Sequence, residues 1–504
     1  MRVSAKRRML ALVVLAAGQL LTLDPVAAGG DLRLVDAARQ QEAARVGLLL
    51  SEGVDVNAAQ PDGATALHWA AHWDDLETAQ HLIVGGADVN VANDYGITPL
   101  WLASVNGSRV MLETLLSGGA DPNFRTPNGE TPLMTAARTG ATPAVRALLE
   151  GGANVNASEA IRGQTALMWA LAEGHVDVAR VLVEHGADIY ARTFSRRGAP
   201  TLLPRGEPPR EEGRSNPLLF AARRGDVSAA RLLLGHGADV NAMAIDGTSP
   251  VLVAAMRGHV QFAKLLLEEG ADPDAFGLGF TALHWAAGRW ETTFTQDYPV
   301  ESGEWSVLGG VPSASDRVAL VTALLEHGAD PNARLARRPP RFGSAIGGAT
   351  RVDIRGATPL HLAAGAGDVD VMRVLLRYGA DPTLRTESEA TPLMAAAGSM
   401  LLLPTGQSVG FRRPESRHLD AAALCLELGL DVDARDAAGN TALHVATGKS
   451  FDAMIELLVD HGASVGARND LGDTALGTVF RQRGIVRVVS QSTVDLLRRL
   501  GVPE

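Results

Sequence analysis

The stretch TALHWA at Thr65–Ala70 decides the fold, because close variants of it return along the whole chain. TPLHLA starts at Thr358 and TALHVA at Thr441, and most neighbouring copies begin 32 to 34 residues apart. A second motif, GADVN at Gly86, recurs in step with the first. Two motifs that share one period indicate a repeat protein whose units complete each other's core. The other copies of the first motif start at Thr98, Thr131, Thr165, Asn216, Ser249, Thr281, Thr391 and, in a degenerate form, Thr474.

Each repeat carries the local signals of two short helices. Thr98 is a good helix N-cap, and Pro99 follows at a position where a helix does not need its N–H. Val181–Val183 give the second helix an apolar face, and Gly186 supplies a left-handed stop. Aromatic residues make up only 4% of the chain, which disfavours a sheet-rich fold. The sequence therefore predicts an all-α protein.

The period, the TPLHxA box and the GADVN tail resemble the ankyrin repeat, over nearly all of the chain after its N-terminal segment. The resemblance implies two antiparallel helices per unit and a turn that projects sideways. We expect an ankyrin-repeat solenoid of about ten full helix-turn-helix units, with capping units at 29–63 and 473–504 and long loop insertions. The resemblance also implies that partners contact the turn tips and the exposed ends of the first helices.

Four predicted insertions interrupt the regular spacing. Residues 192–214 and 335–356 are rich in Arg and Pro, 289–316 is rich in aromatic residues, and 398–417 combines apolar residues with Arg. Either these are tolerated surface loops or they form a binding edge, since Arg and Trp are frequent interface anchors. The predicted repeats between them span 64–191, 215–288, 317–334, 357–397 and 418–472.

The first 28 residues have the pattern of a secretory signal peptide. Basic residues up to Arg8 precede an apolar run from Met9 to Ala17, and small residues at 26–28 suit cleavage after Ala28. The alternative is an uncleaved membrane anchor, although the apolar run is shorter than a usual span. We expect export to the periplasm or the exterior, with no stable membrane insertion after cleavage.

Charge and cysteine content exclude several kinds of site. The formal net charge of -11 disfavours nucleic-acid binding, which needs clustered cations. Cys425 is the only cysteine, which excludes an intramolecular disulfide and a cysteine-based zinc site. His68 and its counterparts His284, His361 and His444 repeat at one box position, where the resemblance implies a local structural brace. No catalytic residues, metal or cofactor are predicted.

The resemblance, aligned position by position, gives the partner-binding candidates. Arg138, Arg223, Arg224 and Arg257 would form a positive strip suited to an acidic patch on a protein, although solvated surface explains any one of them equally well. The turn-tip candidates are Asp94, Tyr95 and Ile97. The helix-end candidates are His72, Trp73, Val105, Asn106, Arg138, Thr139, Glu173, Arg223, Arg224, Met256 and Arg257. The insertion candidates are Trp290 and Trp305.

These patterns and the resemblance favour an exported, non-catalytic protein-interaction scaffold or adaptor that binds a partner through its concave face and its basic loop insertions. One alternative is a secreted effector that acts on another organism's proteins. A further alternative is an enzyme whose site is built by the insertions, above all by 289–316, although no motif of a phosphate loop, dinucleotide site or zinc protease supports it.

Overall fold

The computed structural model of the chain describes residues 31–194, 215–288, 313–337, 354–399, 415–481 and 490–503. These residues divide into two compact units. The first unit contains the described residues up to Asp239, and the second contains those from Val240 onward. Within these ranges the chain forms helices and turns, with two isolated β-bridges, which confirms the predicted all-α class.

Helix starts and stops follow the sequence signals. Thr98 accepts a hydrogen bond from the Trp101 N–H, and Pro99 occupies the first turn of the helix that follows. The same helix ends at Gly107, whose φ of 71° lies in the left-handed region. Asp74 takes that position in its own repeat with a φ of 59°, a strained choice for a residue with a Cβ.

In its described residues, the first unit contains six helix pairs, each formed by consecutive helices. The helices, numbered along the chain, are α1 (Arg33–Arg39), α2 (Ala43–Ser51), α3 (Ala66–Trp73), α4 (Leu76–Val84), α5 (Pro99–Asn106), α6 (Arg109–Ser117), α7 (Pro132–Thr139), α8 (Thr142–Glu150), α9 (Ala166–Glu173), α10 (Val176–Glu184), α11 (Pro217–Arg224) and α12 (Val227–Gly235).

Packing in the first unit runs from each pair to the next. The first helices, α1, α3, α5, α7, α9 and α11, lie against one another in that order, and the second helices do the same. Box leucines such as Leu67, Leu100 and Leu133 are buried between them. The α1–α2 pair packs against α3 and α4, the helices of the first full repeat.

The second unit repeats the same arrangement with interruptions. Its helices are α13 (Pro250–Arg257), α14 (Val260–Glu268), α15 (Ala282–Ala287), α16 (Ala314–Glu326), α17 (Pro359–Ala366), α18 (Val369–Arg377), α19 (Pro392–Met394, continued by a π-turn over Ala395–Ser399), α20 (Glu415–Glu427), α21 (Ala442–Lys449), α22 (Asp452–Asp460), α23 (Ala475–Arg481) and α24 (Gln491–Arg499). First helices again pack on first helices and second on second, and α23 and α24 lie against α21 and α22.

The box histidines tie neighbouring repeats together. His68 Nδ1 accepts a hydrogen bond from the Thr65 N–H at 3.1 Å, so Nε2 carries the ring proton and donates to the Ile97 carbonyl at 2.9 Å. His361 does the same between Thr358 and Ala390. The predicted local brace is present, and each ring also reaches the following repeat.

The asparagine of the GADVN tail forms a second tie. Asn90 Oδ1 accepts a hydrogen bond from the Asp121 N–H at 2.7 Å, and its Nδ2 donates to the Gly119 carbonyl at 2.9 Å. Asn123 makes the matching pair with the next repeat. This double hydrogen bond is the physical reason for asparagine at the end of the motif.

Candidate functional site

The last residues of five first helices form a row in the first unit. They belong to α3, α5, α7, α9 and α11, which lie side by side, and a residue in the left-handed conformation follows each. We call this row, with the side chains that flank it, the helix-end face. The row consists of Trp73, Asn106, Thr139, Glu173 and Arg224.

Aromatic side chains form the end of this face nearest the N-terminus. The Trp73 ring is 37% exposed and stacks on Trp69, with 6.5 Å between ring centroids and 24° between planes. Its Nε1 donates to the Arg39 carbonyl at 3.1 Å, which fixes the ring. His72 lies 4.6 Å from Trp73, centroid to centroid, and is buried. The candidate His72 therefore supports Trp73 from below and offers no surface to a partner.

Asn106 and Val105 belong to the framework beside this aromatic end. Asn106 Nδ2 donates to the carbonyls of Ala71 at 3.0 Å and His72 at 2.8 Å, so it joins two repeats. Val105 is buried. Both were predicted to contact a partner; Val105 lies in the core, and the amide of Asn106 joins two neighbouring helix ends.

Arg138 lies in the middle of the face, and its positive charge is balanced by a neighbouring carboxylate. Its guanidinium lies 3.1 Å from a Glu130 carboxylate oxygen and 5.3 Å from the ring centroid of Trp169. An ion pair and a cation–π contact together fix the guanidinium and balance its charge. The Arg138 backbone carbonyl also accepts a hydrogen bond from His175 Nε2 at 3.1 Å. The middle of the helix-end face is consequently close to neutral.

Two exposed arginines form the other end. Arg223 lies over the Phe220 ring, 5.6 Å from its centroid, and donates to Ser215 Oγ at 3.3 Å. Arg224 lies against the backbone of Gly174, where an added Cβ would be 3.0 Å from its Nε. Glu173, one repeat earlier, is exposed as well. Arg224 thus places an exposed cation at the C-terminal end of the face, one repeat beyond the Glu173 carboxylate.

The predicted positive strip is divided between the two units. Arg138, Arg223 and Arg224 belong to the first unit, and Arg257 belongs to the second. Met256 and Arg257 are half-buried at the end of α13. The helix-end face comprises only the residues of the first unit.

The three candidates at the turn tip 93–97 differ in their exposure. Tyr95 is 44% exposed, and the exposed Asp94 donates its N–H to the Asp62 carbonyl of the preceding tip. Ile97 is buried, and its carbonyl accepts the bond from His68. Ile97 is thus removed from the candidate surface, because the residue before the N-cap turns inward. Trp290 and Trp305 lie outside the described residues.

The described residues that flank the insertions are held by specific hydrogen bonds. The Thr193 N–H donates to the Ser215 carbonyl at 3.1 Å, which joins the two ends of the 195–214 gap. Arg317 in α16 donates to the Gly288 carbonyl at 3.1 Å and lies 3.7 Å from Asp368, with both charged side chains over 90% buried. The buried Arg317–Asp368 pair was not predicted from the sequence. The signal that could have indicated it is Arg317 itself, an arginine at a core-facing position of a second helix.

Comparison with known protein families agrees with the repeated helix pairs. A family model described as ankyrin repeats in three copies matches residues 34–126, 110–193 and 213–292. A single-repeat model matches 355–387 and 438–470, and a model for many copies matches 411–452. Together these ranges cover more than half of the sequence, with the same period as the helix pairs. The chain is an ankyrin-repeat protein.

Known ankyrin-repeat proteins resemble limited parts of the chain. Ankyrin repeat and SOCS box protein 16 of Mus musculus is 36% identical over 119 residues, which are 24% of this chain and 24% of that protein. The B-cell lymphoma 3 protein homolog of Mus musculus is 29% identical over 150 residues, 29% of this chain and 30% of that protein. The crystal structure of the human ASB11 ankyrin repeat domain matches with a TM-score of 0.39 and 25% identity, covering 48% of this chain and 99% of that domain. The chain thus matches about a quarter to a third of the length of these two curated relatives.

The titratable residues that could take part in catalysis are buried in the ankyrin framework. Burial raises the pKa of the Cys425 thiol to about 12, so the thiolate is not formed near neutral pH. Burial also lowers the pKa of His284 and His361 to about 4, which keeps both rings neutral. Across the described ranges, no cluster of three or more His, Cys, Asp or Glu side chains could hold a metal ion. None of the helices in those ranges combines the length and apolarity needed to cross a membrane.

Proposed function

We propose that this ankyrin-repeat protein is a non-catalytic interaction scaffold that holds a protein partner on the helix-end face of its first unit. The observation that carries the proposal is that some residues of that face are fixed in the framework while others are exposed. Asn106, His72 and Arg138 are tied into the framework, while Trp73 and Arg224 present exposed side chains at its two ends. Exposed Trp and Arg on a rigid support are the residue types that most often anchor protein interfaces.

The chemistry of the framework supports a role without catalysis. Each box histidine has both ring nitrogens engaged in bracing, as His444 shows between Thr441 and the Asp473 carbonyl. A general base needs a free nitrogen within reach of a substrate, and these rings offer none. Cys425 is buried with a raised pKa, which is unsuited to a nucleophile.

A matched crosslinking experiment in the native cells tests the proposal. A photo-crosslinking amino acid at Glu173, at the end of α9, is expected to capture a partner protein. The same amino acid at Arg180, an exposed position on α10 in the same repeat, is the control. Capture at Glu173 but not at Arg180 supports the helix-end face. Equal capture at both positions, or none at Glu173, contradicts it.

We also propose that the protein is exported and acts in the periplasm or outside the cell. The support is the basic and apolar pattern of residues 1–28. Mass spectrometry of protein purified from the native host is expected to find a chain that starts at Gly29. A chain retained in the cytoplasm with residues 1–28 intact would contradict export.

A further inference from the structure

The helix-end face changes its chemistry from one end to the other. Trp69, His72 and Trp73 form an aromatic cluster at the α3 end. Arg224 supplies an exposed cation at the α11 end. A ligand that covers the whole face must therefore be apolar at one end and anionic at the other.

The middle of the face limits where a negative charge can bind. Arg138 is compensated by Glu130 at 3.1 Å, and Glu173 exposes a carboxylate between Arg138 and Arg224. A ligand with anionic groups along its whole length would meet the Glu173 carboxylate as a like charge. The arrangement therefore disfavours a polyanion and favours acidic groups confined to one end.

The distance between the two ends sets the length of the ligand. From α3 to α11 there are four steps between neighbouring first helices. Packed helices lie about 8–10 Å apart, so the ends are roughly 32–40 Å from each other. An extended chain covers about 3.3–3.6 Å per residue, which corresponds to about 10–12 residues.

We propose that the helix-end face binds a linear protein segment of about 10–12 residues with an apolar or aromatic side chain at one end and acidic side chains at the other. The apolar side chain packs on Trp69 and Trp73, and a carboxylate at the other end pairs with Arg224. Guanidinium groups suit this role because they bind carboxylates through two parallel hydrogen bonds. The inference rests on the proposed scaffold function and adds the chemistry, polarity and length of the partner segment.

A random 12-residue peptide library displayed on phage and selected on the full chain tests this inference. Enriched peptides are expected to combine Asp or Glu at one end with an aromatic or aliphatic residue near the other. One enriched peptide is then synthesised with a fluorophore, and its Kd is measured by fluorescence anisotropy. No enrichment, or enriched peptides without an acidic end, would overturn the inference.

Charge reversal at two positions of one repeat supplies the matched control. Arg224→Glu is expected to weaken binding of the chosen peptide at least about tenfold, since it replaces attraction by repulsion. Arg231→Glu makes the same charge change on an exposed position of α12, off the face, and is expected to leave Kd within about twofold. A peptide with its acidic residues changed to Lys is expected to bind Arg224→Glu better than the original chain. Equal effects of the two substitutions would overturn the inference.

The two proposals can fail separately. If Glu173 crosslinks a partner while selection yields peptides without acidic ends, the scaffold function stands and the polarity of the ligand is wrong. If selection yields the expected peptides but no partner is captured at Glu173, the peptide site stands and its use as the partner site in the cell is wrong.

Discussion

Asn241 and Asp274 occupy the same position in consecutive repeats but differ in what they donate. Asn241 accepts from the Asp272 N–H at 2.7 Å and donates to the Gly270 carbonyl at 3.2 Å. Asp274 accepts from the Asp330 N–H at 3.0 Å. An ionised carboxylate has no proton for the following carbonyl, and burial raises the pKa of Asp274.

Asp274→Asn is therefore expected to stabilise the protein by about 1 kcal/mol, because the amide can donate to the Gly328 carbonyl. A raised folded-state pKa means that Asp274 favours the folded state below its unfolded pKa of 3.8 and loses that advantage as pH rises. The variant's advantage should thus be larger at pH 7 than at pH 3. Urea unfolding followed by circular dichroism at both pH values measures it.

The reverse substitution is the control for this position. Asn332 makes the full pair, accepting from the Asp381 N–H at 2.8 Å and donating to the Gly379 carbonyl at 3.0 Å. Asn332→Asp is expected to destabilise the protein at pH 7 by a similar amount. An Asp274→Asn variant no more stable than the original chain at pH 7 would contradict the hydrogen-bond account.

The role of a residue was predictable where the same residue recurs at one position of the repeat. The box histidines were predicted to be framework, and all four are buried as expected. The direction of individual side chains was not predictable. Ile97 and His72 align with contact positions of the family, yet both are buried. Alignment gives a place in the repeat, whereas the inward or outward direction depends on which neighbours fill the space beside it.

At the scale of the element, turn tips pack on one another through glycine. Gly247 and Gly277 belong to successive tips, and a Cβ added to Gly247 would overlap the backbone of Gly277. Gly247 also has a φ of 83°. Both the left-handed backbone and the close approach therefore require glycine.

A pair of substitutions separates these two requirements. Gly270 has a φ of 87° with no atom within 4 Å of its added Cβ, so Gly270→Ala should cost only the conformational penalty of about 1–2 kcal/mol. Gly247→Ala should cost a further 1–3 kcal/mol, approximately, because the backbone of the next tip must move. Thermal unfolding of both variants measures the difference. Equal losses would show that the tips are not closely packed.

The positions of the insertions were visible in the sequence as breaks in spacing, but the contacts that secure them were not. Arg317 reaches the Gly288 carbonyl across a gap of 29 residues. Its partner Asp368 also caps α18 by accepting from the Val371 N–H. Such a contact depends on how the described helices of two repeats pack on each other, and the repeat period holds no information about that packing.

At the scale of the whole molecule, the box histidines make stability depend on pH. Burial lowers the pKa of His68, His284, His361 and His444, and protonation of Nδ1 would remove the acceptor of the N-cap N–H. A group with a depressed folded-state pKa contributes stability that is present above its unfolded value, about 6.5, and lost as pH falls toward the folded value. Both units carry such a histidine.

The protein is therefore expected to lose stability between pH 6.5 and 4, by up to about 1.4 kcal/mol per pH unit for each histidine that takes up a proton only on unfolding. Asp31 and Asp381 have pKa values lowered from 3.8, so their contribution is lost only at more acidic pH. Thermal unfolding across this range should give a falling midpoint temperature.

His361→Met tests whether the histidines cause this loss, because methionine occupies the same box position at Met134 and Met168. The variant should be less stable at pH 7, where the Thr358 N–H and the Ala390 carbonyl lose their partner. Its stability should also fall less steeply toward pH 4, because one proton fewer is taken up on unfolding. An unaltered slope in His361→Met would show that other groups govern the acid sensitivity of the solenoid.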